Sequence, residues 1–223
     1  MIKTVLFDLD GTLLDSNGVW LDIDVEFLGR QGISPVPADY TDYVAHHSAP
    51  DAARYTKERF GLPHSPQDIL DAWLELAREA YAHSLPLKPG AKEFLLRCHG
   101  AGERMAVLTS CMPPLCQAAL ERHGLLPLLE GVLTTKELGL EKRDPALYRA
   151  AAERFGVAAD CLLFEDAPDY CAAARQAGWT VAGVRDPLFQ EREEELRTVC
   201  HRWVDTVQGV RPKLEKRLVQ GDM

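Results

Sequence analysis

Ile2-Lys3-Thr4-Val5-Leu6-Phe7-Asp8-Leu9-Asp10-Gly11-Thr12-Leu13-Leu14-Asp15 is an apolar run that ends in acids and a glycine. Residues 2–7 carry the β-branched and large apolar side chains of a buried strand. Gly11 then supplies a turn. Asp8 and Asp10 therefore stand where a strand stops, and in an open α/β sheet ligands bind outside the carboxyl ends of the strands. Residues 8 and 10 of an extended segment face the same way, because side chains alternate with a period of two. Such a pair can hold a hard cation and still offer one oxygen as a nucleophile. The competing reading, a solvated acidic turn, explains neither the apolar strand before it nor Gly-Thr-Leu-Leu-Asp after it.

The strand theme returns after residue 86. Strands are predicted at Arg104–Thr109, Gly131–Thr134, Cys161–Phe164 and Trp179–Val184. Helices are predicted between them at Ala91–His99, Pro114–His123, Pro145–Phe155 and Asp169–Ala177, with Gly124, Gly156 and Gly178 as stops. This alternation indicates an α/β fold, a Rossmann-like parallel sheet covered on both faces. From Asn17 to Leu85 the pattern is helical instead. Val19, Ile23, Phe27 and Leu28 recur at helical spacing, as do Ile69, Leu70, Trp73, Leu74, Leu76 and Ala77. Gly32-Ile33-Ser34-Pro35-Val36-Pro37 and Gly61-Leu62-Pro63 interrupt them. The expected organisation is an α/β core over 1–15 and 86–223, with a small α-helical cap domain, 16–85, inserted after the first strand. The charged stretch beyond Glu191 offers only Val204 and Val207 as a short closing segment.

Bulk properties exclude several classes of function. A net charge of −9 over 223 residues, without a long basic run, argues against nucleic acid as a partner. No apolar stretch has the length of a membrane span. The strand at the very start predicts no signal peptide, and a cytoplasmic location is the default. Six cysteines, none in a Cys-x-x-Cys pair, read as reduced buried thiols, although Cys111 and Cys116 lie near a strand end.

Three further features fall at predicted strand ends. Thr109-Ser110 can grip a phosphate oxygen with a hydroxyl and a backbone N–H, or simply cap a helix. Lys142 stands in a polar loop, where a lysine is often only solvated. Glu165-Asp166 follows a buried strand directly, with helix capping as the alternative. Together with Asp8 they balance charge around a phosphate dianion, provided that a divalent cation joins Lys142. The all-oxygen ligand set favours Mg²⁺ over zinc.

These residues, in this order, resemble the haloacid dehalogenase superfamily of aspartate-nucleophile phosphatases, in the helical-cap branch (subfamily I) that includes β-phosphoglucomutase. Asp8-Leu9-Asp10-Gly11-Thr12, Thr109-Ser110, Lys142 with Pro145, and Glu165-Asp166 match its motifs. Phe164–Gly178 is similar to the segment around the last of them. The resemblance implies a Mg²⁺-dependent phosphatase that hydrolyses a small phosphorylated metabolite through an aspartyl-phosphate. Asp8 is then the nucleophile and Asp10 the acid and base. Mg²⁺ is held by Asp8, the Asp10 backbone carbonyl and Asp166, with Glu165 behind them. Thr109, Ser110 and Lys142 neutralise the transferring group. An acid at position 10 speaks against dehalogenation.

The sequence departs from the family in places. Arg143 follows Lys142 where relatives often carry proline. Tyr170 stands where relatives often have glycine or a polar residue, either as packing or at the site entrance. Asp169 is expected to be a helix N-cap rather than a ligand. A sugar phosphomutase of the β-phosphoglucomutase type shares the motifs, but Trp20 occupies the position where such mutases carry histidine. A phosphonate-cleaving enzyme needs a cap lysine, for which only Lys57 is available. A phospho-accepting signalling module uses similar groups in another order on a shorter chain. Substrate choice is expected from Trp20, His46, His47, Ser48 or Arg54 in the cap, with core packing as the alternative for Trp20 and a solvated helix face for Arg54. A monomer or weak dimer without membrane attachment is expected.

Overall fold

A computed structural model describes residues 4–45, 49–155 and 161–210. The chain divides into two compact units, one of Met1–Asn17 with Leu85–Met223 and the other of Gly18–Ser84. In the larger unit, strands β1 (Thr4–Phe7), β2 (Arg104–Thr109), β3 (Gly131–Thr134), β4 (Cys161–Glu165), β5 (Thr180–Val184) and β6 (Arg202–Val204) form one sheet. Its order is β3-β2-β1-β4-β5-β6, and every pairing is parallel. Phe7 stands level with Val107 on one side and Phe164 on the other. The chain runs from β1 outward to β3, then crosses back to β4 on the far side of β1. The crevice at the ends of β1 and β4 is thus the switch point of the sheet, where an α/β fold binds its ligand.

Both faces of this sheet are buried, which is why its strands read as continuous apolar runs rather than alternating ones. Leu6, Ala106, Leu108, Leu163 and Val181 belong to one core cluster with Tyr148, Ala151 and Trp179. On the other face Phe7 stacks on Phe164 at 5.2 Å, and Phe94 meets their rings edge-on at 5.9 and 5.4 Å. Burying each such ring contributes roughly 2–3 kcal/mol. β6, which the charged composition of its surroundings hides, pairs with β5 through Ala182↔Arg202 and Val184↔Val204. Arg197 lies 3.6 Å over the ring of Trp203 on this edge strand.

The unit Gly18–Ser84 is helical: α1 (Val19–Arg30), α2 (Ala38–Ala45), α3 (Ala49–Phe60), α4 (Pro66–Glu79) and a π-helical turn, Ala80–Ser84. α1 buries Val19, Ile23, Phe27 and Leu28, the residues whose spacing predicts it. It also buries Asp24. Tyr40 donates to Asp24 Oδ1 at 3.2 Å and lies 2.9 Å from Thr56 Oγ1. Burial pushes the Asp24 carboxyl up to about 6, against the pull of the Tyr40 hydroxyl. α4 starts on a capping box, in which Ser65 Oγ accepts from Asp68 N at 3.1 Å and Asp68 Oδ2 accepts from Ser65 N at 2.8 Å. Phe27 packs edge-on against Trp73 at 6.1 Å.

The remaining helices flank the sheet: α5 (Ala91–Gly100), α6 (Pro113–Arg122), α7 (Thr135–Leu138), α8 (Pro145–Phe155), α9 (Pro168–Gln176) and α10 (Glu193–Val199). Gly124 and Gly178 take positive φ beyond α6 and α9, as helix stops do. Ile2, Lys3, Gly156 and the end of the chain past 210 lie outside the described residues. No helix among the described residues is long and apolar enough to cross a membrane.

Candidate active site

β1 delivers Asp8 directly to the switch point. Asp8 N donates to Phe164 O at 2.9 Å, so sheet pairing continues one residue past the strand and fixes the base of the side chain. The chain then turns. Gly11 N donates to Leu14 O, and Leu13 N and Leu14 N both donate to Leu9 O. Gly11 has φ +84, and a Cβ there would collide with the Asn17 amide and the Asp166 carboxylate. Only glycine lets the backbone come this close. The same loop grips Asp166 with side chains: Asn17 Nδ2 donates to Oδ2 at 2.8 Å, and Thr12 Oγ1 approaches Oδ1 at 3.5 Å. Asp10, half-buried, accepts from Ser16 Oγ at 2.6 Å.

β4 ends on Glu165, and Asp166 follows it; both are buried. Glu165 Oε1 accepts from Asp166 N at 3.0 Å and Ala167 N at 3.1 Å. Its Oε2 accepts from Lys142 Nζ at 2.8 Å. Glu165 thus holds the turn between β4 and α9 and the lysine at once, without capping the helix. Lys142 also donates to Asp8 Oδ1. With only 3% of its surface exposed, Lys142 is no solvated loop lysine. Asp8, Lys142, Glu165 and Asp166, distant in sequence, thus form one buried cluster.

Charge in this cluster is unbalanced. The three carboxylates of Asp8, Glu165 and Asp166 lie together, and the Lys142 ammonium pairs with Asp8 and Glu165. Burial, then the charges of Glu165 and Asp10, push Asp8 up to about 8, with Lys142 opposing them. Burial, then Glu165 and Asp8, hold Asp166 well above the usual carboxylate range. Burial disfavours the Lys142 charge, but Asp8 and Glu165 outweigh it and raise the ammonium above its ordinary value. A second pair stands nearby: Lys88 donates to the buried carboxylate of Asp186, whose charge also raises Asp166.

The donor set suits a hard divalent cation. One oxygen each of Asp8, Glu165 and Asp166 lie within 4.8 Å of one another. Oxygens on opposite sides of Mg²⁺ stand about 4.2 Å apart, so small side-chain rotations suffice to bring them to one ion. Glu165 and Asp166 each accept hydrogen bonds on both oxygens, and Asp8 accepts from Lys142. No nitrogen or sulfur ligand belongs to the cluster, as Mg²⁺ prefers.

Thr109 ends β2, the strand beside β1, and is fully buried, while Ser110 is exposed just beyond it. Thr109 Oγ1 accepts from Cys111 N at 2.9 Å, a turn rather than a helix cap, since α6 begins later on Met112. Asp169 does not cap α9. Ala167 holds that position, and Pro168 follows it. Asp169 instead pairs with Arg192 at 2.8 Å and Arg143 at 3.2 Å, which hold its carboxyl below the usual range. Tyr170 places its ring 5.1 Å from Lys142 Nζ. In the helical unit Trp20 is 46% exposed and so is not core, and Arg54 pairs with Asp51 on the α3 surface. His46, His47 and Ser48 lie outside the described residues. All six cysteines are buried.

Sequence reasoning missed Asn17, Thr12, Tyr148 and the Lys88–Asp186 pair. A single polar side chain in a loop carries no periodic signal. Only the fold brings Asn17 to Asp166, 149 positions away.

Comparison with known proteins places this geometry. The family model for haloacid dehalogenase-like hydrolases matches residues 2–178. Hexitol phosphatase A of Escherichia coli is 29% identical over 202 residues, covering 89% of this chain and 90% of its own. A phosphoglycolate phosphatase of Vibrio parahaemolyticus is 30% identical over 192 residues, covering 82% and 83%. The crystal structure of CbbY from Rhodobacter sphaeroides in complex with phosphate superposes with a TM-score of 0.75 at 21% identity, over 94% of this chain and 96% of that one. The match of the family model across most of the chain, over the segments that carry Asp8, Lys142 and Asp166, shows that the protein belongs to the haloacid dehalogenase-like hydrolases.

Proposed function

We propose that the protein is a Mg²⁺-dependent phosphatase of a small phosphorylated metabolite, with Asp8 as nucleophile. Family membership makes it a hydrolase, and relatives that bear phosphatase names set its class as a phosphoric monoester hydrolase. The observation that carries the reading is the buried cluster of Asp8, Lys142, Glu165 and Asp166 at the switch point of the sheet. It joins a nucleophilic oxygen, an ammonium and cation-binding acids in one place.

In this reading an Asp8 oxygen attacks phosphorus, and the bond to the leaving oxygen breaks. Asp10, held by Ser16, gives that oxygen its proton. Water then attacks phosphorus in the aspartyl-phosphate and passes a proton to Asp10. The bond to Asp8 breaks, and inorganic phosphate and free Asp8 result. Lys142 orients Asp8 and offsets charge on the transferring group, joined by the Thr109 hydroxyl and the Ser110 N–H. Asp8, Asp166 and the Asp10 backbone carbonyl are the residues assigned to Mg²⁺. When bound, the ion screens phosphate from the carboxylates and stabilises negative charge on the phosphoryl oxygens.

Substrate selection is assigned to residues 18–84, with Trp20, His47, Ser48 and Arg54 as candidates. The exposure of Trp20 supports it. A cytoplasmic location belongs to the same proposal, supported by the burial of all six cysteines as apolar thiols. The test is phosphate release from sugar phosphates, nucleotides and p-nitrophenyl phosphate, with Mg²⁺ and with EDTA. The reading expects release only with Mg²⁺ and a clear ranking of substrates. Isomerisation of a sugar phosphate without net release would replace it with a mutase.

A further inference from the structure

Lys142 is gripped at its charged end by Asp8 and Glu165. Its flexible four-carbon stem would otherwise let the ammonium sample many positions. Two tyrosines restrain it from elsewhere. Tyr148, on α8, is fully buried, with its ring pinned edge-on against Trp179 at 5.3 Å. Its hydroxyl lies 2.9 Å from Lys142 O and 3.1 Å from Tyr170 O. A phenol has one proton, so these carbonyls share it. They belong to different segments, the loop that carries Lys142 and the first turn of α9. The Tyr148 hydroxyl therefore ties the backbone of the lysine to the backbone of Tyr170. The ring of Tyr170 in turn stands 5.1 Å from the ammonium, within cation–π range. The exposed Arg143–Asp169 pair links the same two segments at 3.2 Å, but an exposed pair of this kind holds little by itself.

Packing alone does not explain Tyr148, because phenylalanine would fill the same space. A fully buried hydroxyl is costly unless bonded, and the bonds it makes go to these two carbonyls. We propose that Tyr148 and Tyr170 are positioning residues for Lys142, one fixing its backbone and the other covering its ammonium, so that the charge stays at Asp8. Neither touches the reacting atoms. The inference rests on the proposed role of Lys142 at the transferring phosphoryl group.

The test uses the full chain with Mg²⁺ and ¹⁵N-labelled lysine, the Lys142 ammonium signal being assigned by its loss in Lys142→Met. Tyr148→Phe should broaden or split that signal and lower kcat roughly three- to ten-fold, with KM little changed. Tyr170→Leu should shift the signal, because a ring current is removed, and weaken orthovanadate binding by a similar factor. Tyr170→Phe, which keeps the ring, should restore both. In the Lys142→Met background neither tyrosine change should lower vanadate affinity further. An ammonium signal unmoved in Tyr148→Phe and Tyr170→Leu, or losses that add in full to that of Lys142→Met, would overturn the proposal. If the wild type releases phosphate while the signal stays unmoved, the positioning role fails alone. If it releases none while the signal responds, the phosphatase reading fails and the positioning role stands.

Discussion

Replacing Asp24 by asparagine should change the stability of the helical unit in a strongly pH-dependent way. Asp24 is buried in α1, and the Tyr40 hydroxyl donates to it at 3.2 Å. Thr56 spends its own proton on Ala52 O at 2.7 Å, so it does not add a donor to the network. With its pKa raised from 3.8 to about 6, the carboxyl favours the neutral form when folded. The sign follows directly. Below the unfolded value the acid is neutral in both states and costs nothing. As pH rises from about 4 to 6 the unfolded chain releases the proton first, and stability is lost. Above 6 the full penalty remains. The linkage relation gives a penalty of about 3 kcal/mol at pH 7.5 and about 0.5 kcal/mol at pH 4. Asparagine can accept the same Tyr40 bond and does not titrate. Its own packing cost is the same at both pH values, so the variant should gain about 2.5 kcal/mol on wild type between pH 4 and 7.5. Hydrogen exchange of amides in residues 18–84, read by mass spectrometry at several pH values, measures this difference. A wild-type-to-variant difference that stays constant across that range would refute the argument from burial.

Other expectations concern the acidic cluster. Lys142→Met should lower kcat/KM by about 10²–10³-fold, because a fixed cation beside the transferring group is lost. It should also destabilise the metal-free protein by roughly 3–5 kcal/mol, since it leaves buried carboxylates without their ammonium. Thermal melts should therefore show a larger gain from Mg²⁺ in the variant than in wild type. Gly11→Ala should cost about 2 kcal/mol or more, through the positive φ and the collision with Asp166. It should weaken Mg²⁺ binding in calorimetry, and Asn17→Ala should do so by about ten-fold through the freed Asp166.

Much of this architecture is legible in the chain. The buried strands of a parallel sheet announce themselves as apolar runs, and Thr4–Phe7, Arg104–Thr109 and Gly131–Thr134 lie within or on the predicted limits. Asp8, Glu165 and Asp166 were identifiable because each sits where such a run ends, whereas Lys142, expected at a strand end, stands in the loop between α7 and α8. β6 was not. An edge strand of three residues has one neighbour and little buried surface, so Arg202-Trp203-Val204 shows no strand pattern. Asp169 misled because an acid near a helix start usually caps it. Here the helix starts earlier, with Ala167 at the N-cap and Pro168 after it, so Asp169 lies inside the first turn and pairs with arginines. For Trp20 the sequence leaves cap core and a substrate-facing role both open, since it stands among apolar residues, and the structure puts it outside the buried face of α1. The contacts of Asn17 and Tyr148 depend on segments brought together by the fold, and no local pattern encodes them.

The central claim is that Asp8 carries the phosphoryl group. The most direct measurement quenches the enzyme during turnover, reduces it with borohydride and maps the product by mass spectrometry. An aspartyl-phosphate is reduced to homoserine at its own position. The account predicts homoserine at position 8 in the presence of substrate and Mg²⁺, none without substrate, and no phosphate release by Asp8→Asn. Steady phosphate release with no label at position 8, or release that survives in Asp8→Asn, would contradict it.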